Sequence, residues 1–246
     1  MRLNRYLARV AGIGRREAEN WIRQGRLRVN GEPVTHPALR LKAGDRIEID
    51  GRLFGSEPLV YVLLRKPAGI APEVVMGSET ERGLVRTHLG VRLRPLGWLD
   101  PEAAGALVLT NDPDLLDALP PGKGGLLSLY RIESRTPISP DQVARIAEGL
   151  IDGGMRLRPE RVELVEASGR VLGLEWRPEG PGLLMRLLAA AGLESCSIER
   201  LAYGGLRVHR LRMGQWRYLS EGEIRTLRRQ LGLRAQPSLF VRWPSQ

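Results

Sequence analysis

The 246-residue sequence holds a single cysteine, Cys196, and three scattered histidines, His36, His88 and His209. One thiol forms no internal disulfide, and this set offers no ligand cluster for zinc or another imidazole-binding metal. Metal centres of that kind are excluded, and a reducing cytoplasm is the expected compartment. Aromatic residues make up only 5%, and lysine is nearly absent: Lys42, Lys66 and Lys123 are three of 38 basic residues. Long hydrophobic runs are also missing. Runs such as LVYVLL and GALVL fall far short of the about 20 residues that a spanning helix needs. The arginine-studded start MRLNRYLARVAGIG lacks the continuous apolar segment of a secretory leader.

What the sequence does have is positive charge. The net charge is +10, carried almost entirely by arginine, whose planar fork suits bidentate phosphate contact and base stacking. Nucleic acid therefore heads the expected partners, although a GC-rich or thermophilic genome produces the same arginine bias. The charge is also uneven. Residues 1–52 hold 12 Lys plus Arg against 6 Asp plus Glu, which is six of the ten surplus charges in the first fifth of the chain.

Within that fifth, Leu3, Leu7 and Val10 recur at helical spacing, predicting a helix over 3–10. A break at 12–14 follows. Ala18, Trp21 and Ile22 stripe a second helix over 15–24, with Gly25 placed to cap it. Leu27 and Val29 alternate with arginines up to Asn30-Gly31, and DRIEID at 45–50 alternates again before Gly51, so a small sheet is expected. The stretch RLNRYLARVAGIGRREAENWIRQGRLRVNG, with KAGDRIEID after it, resembles the S4-type RNA-binding module, and the likeness covers nearly all of 1–51. The resemblance implies that Arg5, Arg15, Arg16 and Arg26 face RNA phosphates, with the amino end of the second helix offering N–H groups to the same anion. A solvated basic face without a partner is the alternative.

RLFGSEP then breaks the pattern, which divides the chain into a module at 1–52, a linker at 53–58, a larger domain at 59–234 and a tail at 235–246. In the larger domain, strands are expected at 59–64, 106–110, 126–134, 162–165 and 171–176, the last two joined through Ser168-Gly169. Helices are expected at about 140–150, 182–191 and 221–231, with one or two helical turns at 114–119. Gly122-Lys123-Gly124-Gly125 lacks Walker spacing and a following helix, and reads as a hairpin turn.

Between two of these strands stands PLGWLDPEAAGALVLTND, residues 95–112. It resembles the signature G-R-L-D-x-x-T-x-G-L-L-L-L-T-N-D of the RsuA-like pseudouridine synthases, which modify ribosomal RNA and carry an S4-type module ahead of the catalytic domain. Lys66-Pro67-Ala68-Gly69 matches the family's early K-P-x-G turn, Tyr130 falls at its tyrosine, and 204–219 resembles its closing hairpin. The likeness runs from about Leu59 to Leu233. It implies an α+β fold: a small S4-like domain of two helices and a small sheet, then a synthase domain with a mainly antiparallel sheet flanked by helices. It implies no cofactor, a partner that is ribosomal RNA or a ribosomal precursor particle, no membrane, and action as a monomer. Lys66 and Trp98 join the expected RNA contacts.

Isomerising uridine breaks the bond from ribose to uracil nitrogen and rejoins the base through carbon. By resemblance, Asp100 is the required ionised carboxylate, attacking the sugar or removing a proton from it. A buried carboxylate stays charged when a cation or several donors hold it. The run LLMRLLAAA at 183–191 is apolar except at Arg186, and a guanidinium inside a buried helix must find a carboxylate or several carbonyls, which makes Arg186 a candidate partner of Asp100. The family pairs its matching arginine in the same way. Tyr130 is expected to stack on the uracil, its hydroxyl near the carbon that loses a proton. Each residue also has a structural reading: Asp100 as a turn or N-cap residue, Tyr130 as a core strand residue, Arg186 as a surface side chain.

Several positions depart from the family. Its arginine before Leu-Asp is Trp98, which offers a flat ring to a flipped base but no charge to a phosphate. Its following threonine is Ala103, and its lysine two residues before the tyrosine is Ser128. Its E-G-R-N-R-Q-V-R-R segment reads EGPGLLMRL at 179–187, with one arginine left. Two functions therefore compete: an active ribosomal RNA pseudouridine synthase, and a catalytically degenerate synthase-fold protein acting as an rRNA-binding or ribosome-assembly factor. A glycosidase using Asp100 and Glu102 is a poor third, because such near neighbours rarely flank one bond.

Overall fold

The computed structural model describes residues 1–246 apart from 12, 42–44, 55–58, 73–84, 86–90, 120–124, 179 and 235–246. The chain divides into two compact units, Met1–Pro58 and Leu59–Gln246.

The first unit contains α1 (Leu3–Val10), α2 (Arg15–Arg23), β1 (Leu27–Val29), β2 (Glu32–Val34), β3 (Ile47–Ile49) and β4 (Arg52–Phe54). Its four strands lie in the antiparallel order β2-β1-β3-β4. Two tight turns set that register. Asn30-Gly31 and Asp50-Gly51 all have positive φ, the conformation that matches the twist of a two-residue hairpin. The helical stripes Leu3, Leu7, Ala18 and Ile22 close on Leu27, Val29, Ile47 and Ile49 to form one small core. Because Leu53 and Phe54 pair with β3, the module extends past the linker start expected at 53. The rest of that linker, the tail at 235–246 and residues 122–124 of the glycine-rich turn lie outside the described residues.

The second unit runs β5 (Tyr61–Lys66), β6 (Arg94–Leu96), β7 (Ala104–Thr110), α3 (Pro113–Ala118), β8 (Ser128–Ser134), α4 (Pro140–Glu148), β9 (Leu150–Asp152), β10 (Met155–Leu157), β11 (Arg161–Leu164), β12 (Val171–Trp176), α5 (Leu183–Ala190), β13 (Cys196–Tyr203), β14 (Leu206–Arg207), β15 (Trp216–Tyr218) and α6 (Glu221–Gln230). The main sheet has the order β11-β12-β8-β13-β7-β5-β15, with β6 on β7 and β14 on β13. Only the β13–β7 pairing is parallel among those described, so the sheet is mainly antiparallel and the class is α+β. Among the described residues, no helix is long and apolar enough to cross a membrane.

Strand alternation divides this unit into two cores. Val62, Leu64, Leu107 and Leu109 belong to one, with Ile146 of α4 and Leu184, Leu187 and Leu188 of α5. Tyr61, Leu63, Ala106 and Val108 belong to the other, with Leu115 of α3 and Ile224 and Leu227 of α6. Since β5 and β7 contribute to both cores, they read as unbroken apolar runs.

The Thr-Asn-Asp that ends the signature ties these layers together. Thr110 Oγ1 donates to the Val60 carbonyl at 2.7 Å, and Asn111 Oδ1 accepts from Val60 N at 2.7 Å. Asp112 Oδ1 caps α3 through Asp114 N, while its Oδ2 accepts from the Tyr61 hydroxyl and from Arg228 Nη1 of α6, each at 2.7 Å. This buried ion pair brings the first strand and last helix of the unit to one carboxylate.

Gly105 marks the tightest crossing. Its φ is +109°, and a Cβ there would run into the backbone carbonyl of Arg200 on the parallel neighbour β13. Gly105→Ala is expected to lower stability by about 2–4 kcal/mol in a urea titration, because strain at φ and overpacking add.

Candidate active site

The connection from β6 to β7 carries Asp100, and two buried cations hold it from below. Pro101 sits at the second position of a turn closed by Ala103 N donating to the Asp100 carbonyl. Lys66, with no exposed surface, donates from Nζ to the carbonyls of Pro67 (2.9 Å), Ile70 (2.8 Å) and Pro101 (3.0 Å). Gly69 N also donates to the Pro101 carbonyl, so the Lys-Pro-Ala-Gly turn cradles the loop. On the other side, Arg200 donates from Nη1 to the Trp98 carbonyl (2.8 Å) and from Nε to the Ala106 carbonyl (2.7 Å), with its guanidinium 4.1 Å over the Tyr203 ring.

Lys66 is therefore enclosed within the fold rather than placed on a surface open to RNA, contrary to expectation. It continues the buried face of β5 through Val62 and Leu64, and its three N–H donors match three carbonyls. Burial pushes its ammonium down to about 8, with Glu102 pulling up, Arg200 pushing down and Asp100 pulling up.

Asp100 is 7% exposed, and its Oδ1 accepts two hydrogen bonds, from Trp98 Nε1 at 2.7 Å and Gly182 N at 2.8 Å. Gly182 is the N-cap of α5 with φ +66°, so the amino end of that helix, with its partial positive charge, is turned toward the carboxylate. Trp98, Leu99, Asp100, Tyr130, Trp176, Leu183 and Leu184 share one cleft, whose remaining volume is about 10 Å³, room for a single water molecule. A larger groove of about 290 Å³ touches Leu129, Arg131, Val165 and Gly173, and its Arg131 is already paired with Glu133 and Glu166.

Two of the three expected catalytic residues, Asp100 and Tyr130, thus meet in the cleft, and Trp98 lies against them. Arg186 does not. Its guanidinium pairs with Asp152 of β9 at 2.8 Å, with about half its side chain exposed. Leu183, Leu184, Leu187 and Leu188 form the buried stripe of α5, while Arg186, Ala189 and Ala190 occupy the outward face. The helix is two-sided, and its two exposed alanines made it look uniformly buried in sequence. Among the described residues, no arginine is hydrogen-bonded to the Asp100 carboxylate.

In the amino-terminal unit, Arg5, Arg15 and Arg16 are exposed. Arg26 is half-buried, paired with Asp50 and stacked 4.5 Å over Trp21, and its guanidinium holds the Asp50 carboxyl below the usual carboxylate range. Gly182, Trp176 and Arg200 are site components that sequence reasoning missed. Arg200 lies in an ordinary alternating strand, and nothing local distinguishes it from a surface arginine.

Comparison with known proteins agrees with this architecture. The S4 domain family matches residues 1–47. An uncharacterized RNA pseudouridine synthase of Aquifex aeolicus is 30% identical over 242 residues, covering 93% of this chain and 97% of its own. The ribosomal large subunit pseudouridine synthase B of Bacillus subtilis is 28% identical over 243 residues, covering 92% and 95%. A crystal structure of a pseudouridylate synthase shares the fold, with a TM-score of 0.59 at 23% identity over 92% of this chain and 99% of that one. The chain belongs to the RNA pseudouridine synthase family, in its RsuA-like branch with an amino-terminal S4 domain.

Lys66 and Arg186 are expected to differ sharply in their effect on stability. Lys66→Met strands three carbonyls and is expected to cost about 2–4 kcal/mol. The unfolded amine titrates at 10.5 and the folded one at about 8, so between those values the unfolded state binds more protons. Stability from this group rises with pH there, and the deficit of Lys66→Met in urea titrations grows from pH 8 to pH 10. Arg186→Ala, by contrast, is expected to change stability by less than about 0.5 kcal/mol, because an exposed pair contributes little.

Proposed function

We propose that this protein isomerises a uridine of ribosomal RNA, or of a ribosomal precursor particle, to pseudouridine, acting as a single chain in the cytoplasm. The supporting observation is the placement of Asp100: a buried carboxylate, on a loop pinned by Lys66 and Arg200, sharing a cleft with Tyr130. In the reaction the C1′–N1 bond breaks, the base turns, and a C1′–C5 bond forms. The proton on C5 leaves and N1 takes one up, so no redox partner is needed. Asp100 supplies the charge beside the ribose. Tyr130 covers the base, and Arg15 and Arg16, with the uncapped amino end of α2, hold phosphates of a structured RNA.

The second reading, a degenerate synthase that binds RNA without altering it, draws on Arg186 facing solvent and on the small volume left above Asp100. Mapping pseudouridines in ribosomal RNA from cells with and without the gene separates the two. One site is expected to vanish on deletion, to return with the native gene and with Arg186→Ala, and to stay absent with Asp100→Asn. An unchanged map, or rescue of a deletion growth defect by Asp100→Asn, favours the second reading.

RNA affinity provides an independent check. Arg15→Ala with Arg16→Ala is expected to weaken binding and to flatten the dependence of log K on log salt by about 1–2 units, about one per lost phosphate contact.

A further inference from the structure

The cleft above Asp100 is filled by the protein's own side chains. Trp98 Nε1 donates to Asp100 Oδ1 at 2.7 Å, and the remaining volume is about 10 Å³, so a nucleotide has no place beside the carboxylate while the indole stays. We propose that Trp98 is a displaceable cap: it occupies the carboxylate in the RNA-free protein and gives way to the target base. The inference rests on the synthase reading and concerns how its site is opened.

Three features support a side-chain motion rather than a loop motion. The Trp98 carbonyl accepts from the fully buried Arg200, and the adjacent Leu99 is 2% exposed, so the backbone on which the indole is mounted is fixed. The indole is only half-buried, so part of its surface is already open to solvent. Its departure also strands no charge, because Gly182 N keeps its bond to the same oxygen and the Lys66 ammonium remains within electrostatic reach. A charged arginine at position 98 would form an ion pair with Asp100 that is costly to break, whereas a neutral indole N–H is exchanged for a substrate donor or for water.

The cleft is also prepared for what replaces the indole. Trp176, 1% exposed and lining the same cleft, has a buried N–H with no hydrogen-bond partner among the described residues. Buried donors are nearly always satisfied. A pyrimidine presents two carbonyl acceptors, and Tyr130, Leu183 and Leu184 supply flat and apolar walls for its ring. The proposed opening is thus an exchange, in which one aromatic ring leaves Asp100 and another, bearing carbonyls, enters the cleft that Trp176 lines.

The test uses the full-length protein labelled with ¹⁵N at its five tryptophans. Trp98 is identified as the indole N–H signal that disappears in Trp98→Phe and that moves upfield in Asp100→Ala, where its acceptor is lost. Saturating the labelled protein with unmodified ribosomal RNA transcribed in vitro is expected to shift this signal and to speed its exchange with solvent. Trp98→Ala is expected to bind the same transcript about tenfold more tightly, since the occluded state no longer competes. A Trp98 signal unmoved at saturation, or a tenfold loss of affinity in Trp98→Ala, overturns the cap. Product is measured separately: a shifted indole signal with no pseudouridine formed leaves the cap standing and removes the isomerase, while pseudouridine formed under an unmoved indole does the reverse.

Discussion

Two cations with no exposed surface lie under the loop that carries Asp100, and both direct their donors mainly at backbone carbonyls rather than at carboxylates. This is the constraint on which the site depends. An ammonium has three donors and a guanidinium five, so each gathers carbonyls from segments that no sheet register would bring together. Lys66 joins the end of β5 to Pro101, and Arg200 joins β13 to Trp98 and β7. The loop has no regular structure of its own, yet its backbone is held as firmly as a strand.

The charge of Asp100 is then accommodated in an unusual way. Its hydrogen-bonding donors are neutral, an indole and a backbone N–H at a helix start, and the nearest cations act on it through space rather than through contact. Neutral donors hold the carboxylate without an ion pair, while the positive charge that balances it sits on the two cations beneath the loop. A further excess of positive charge lies in the amino-terminal fifth of the chain.

Much of the fold was legible because local signals agreed with one another. Alternation, Asn30-Gly31, Asp50-Gly51 and Gly25 set the first unit, and helix α1 falls where Leu3, Leu7 and Val10 place it. The signature around Asp100 led to the cleft and to Tyr130. What escaped was anything decided by the partner across the sheet. Arg186 was read as buried from composition, although its spacing from Leu183, Leu184, Leu187 and Leu188 puts it on the opposite face. Lys66 stands among the expected RNA contacts, although its parity with Val62 and Leu64 turns it inward. Strand β13, with Arg200, and the small hairpin of β9 and β10 were not anticipated, since short or mixed polar strands carry a weak period of their own.

The meeting of Tyr61, Asp112 and Arg228 has a bearing on how the chain is made. Strand β5 opens the larger unit, yet one of its neighbours, β15, and the arginine that neutralises Asp112 arrive more than 150 residues later. On the ribosome, the first strand emerges with a bare edge and an unneutralised acid beside it, and waits for nearly the whole unit to be translated before either is covered. A ribosome stalled ahead of β15 therefore holds an apolar sheet margin open to other chains.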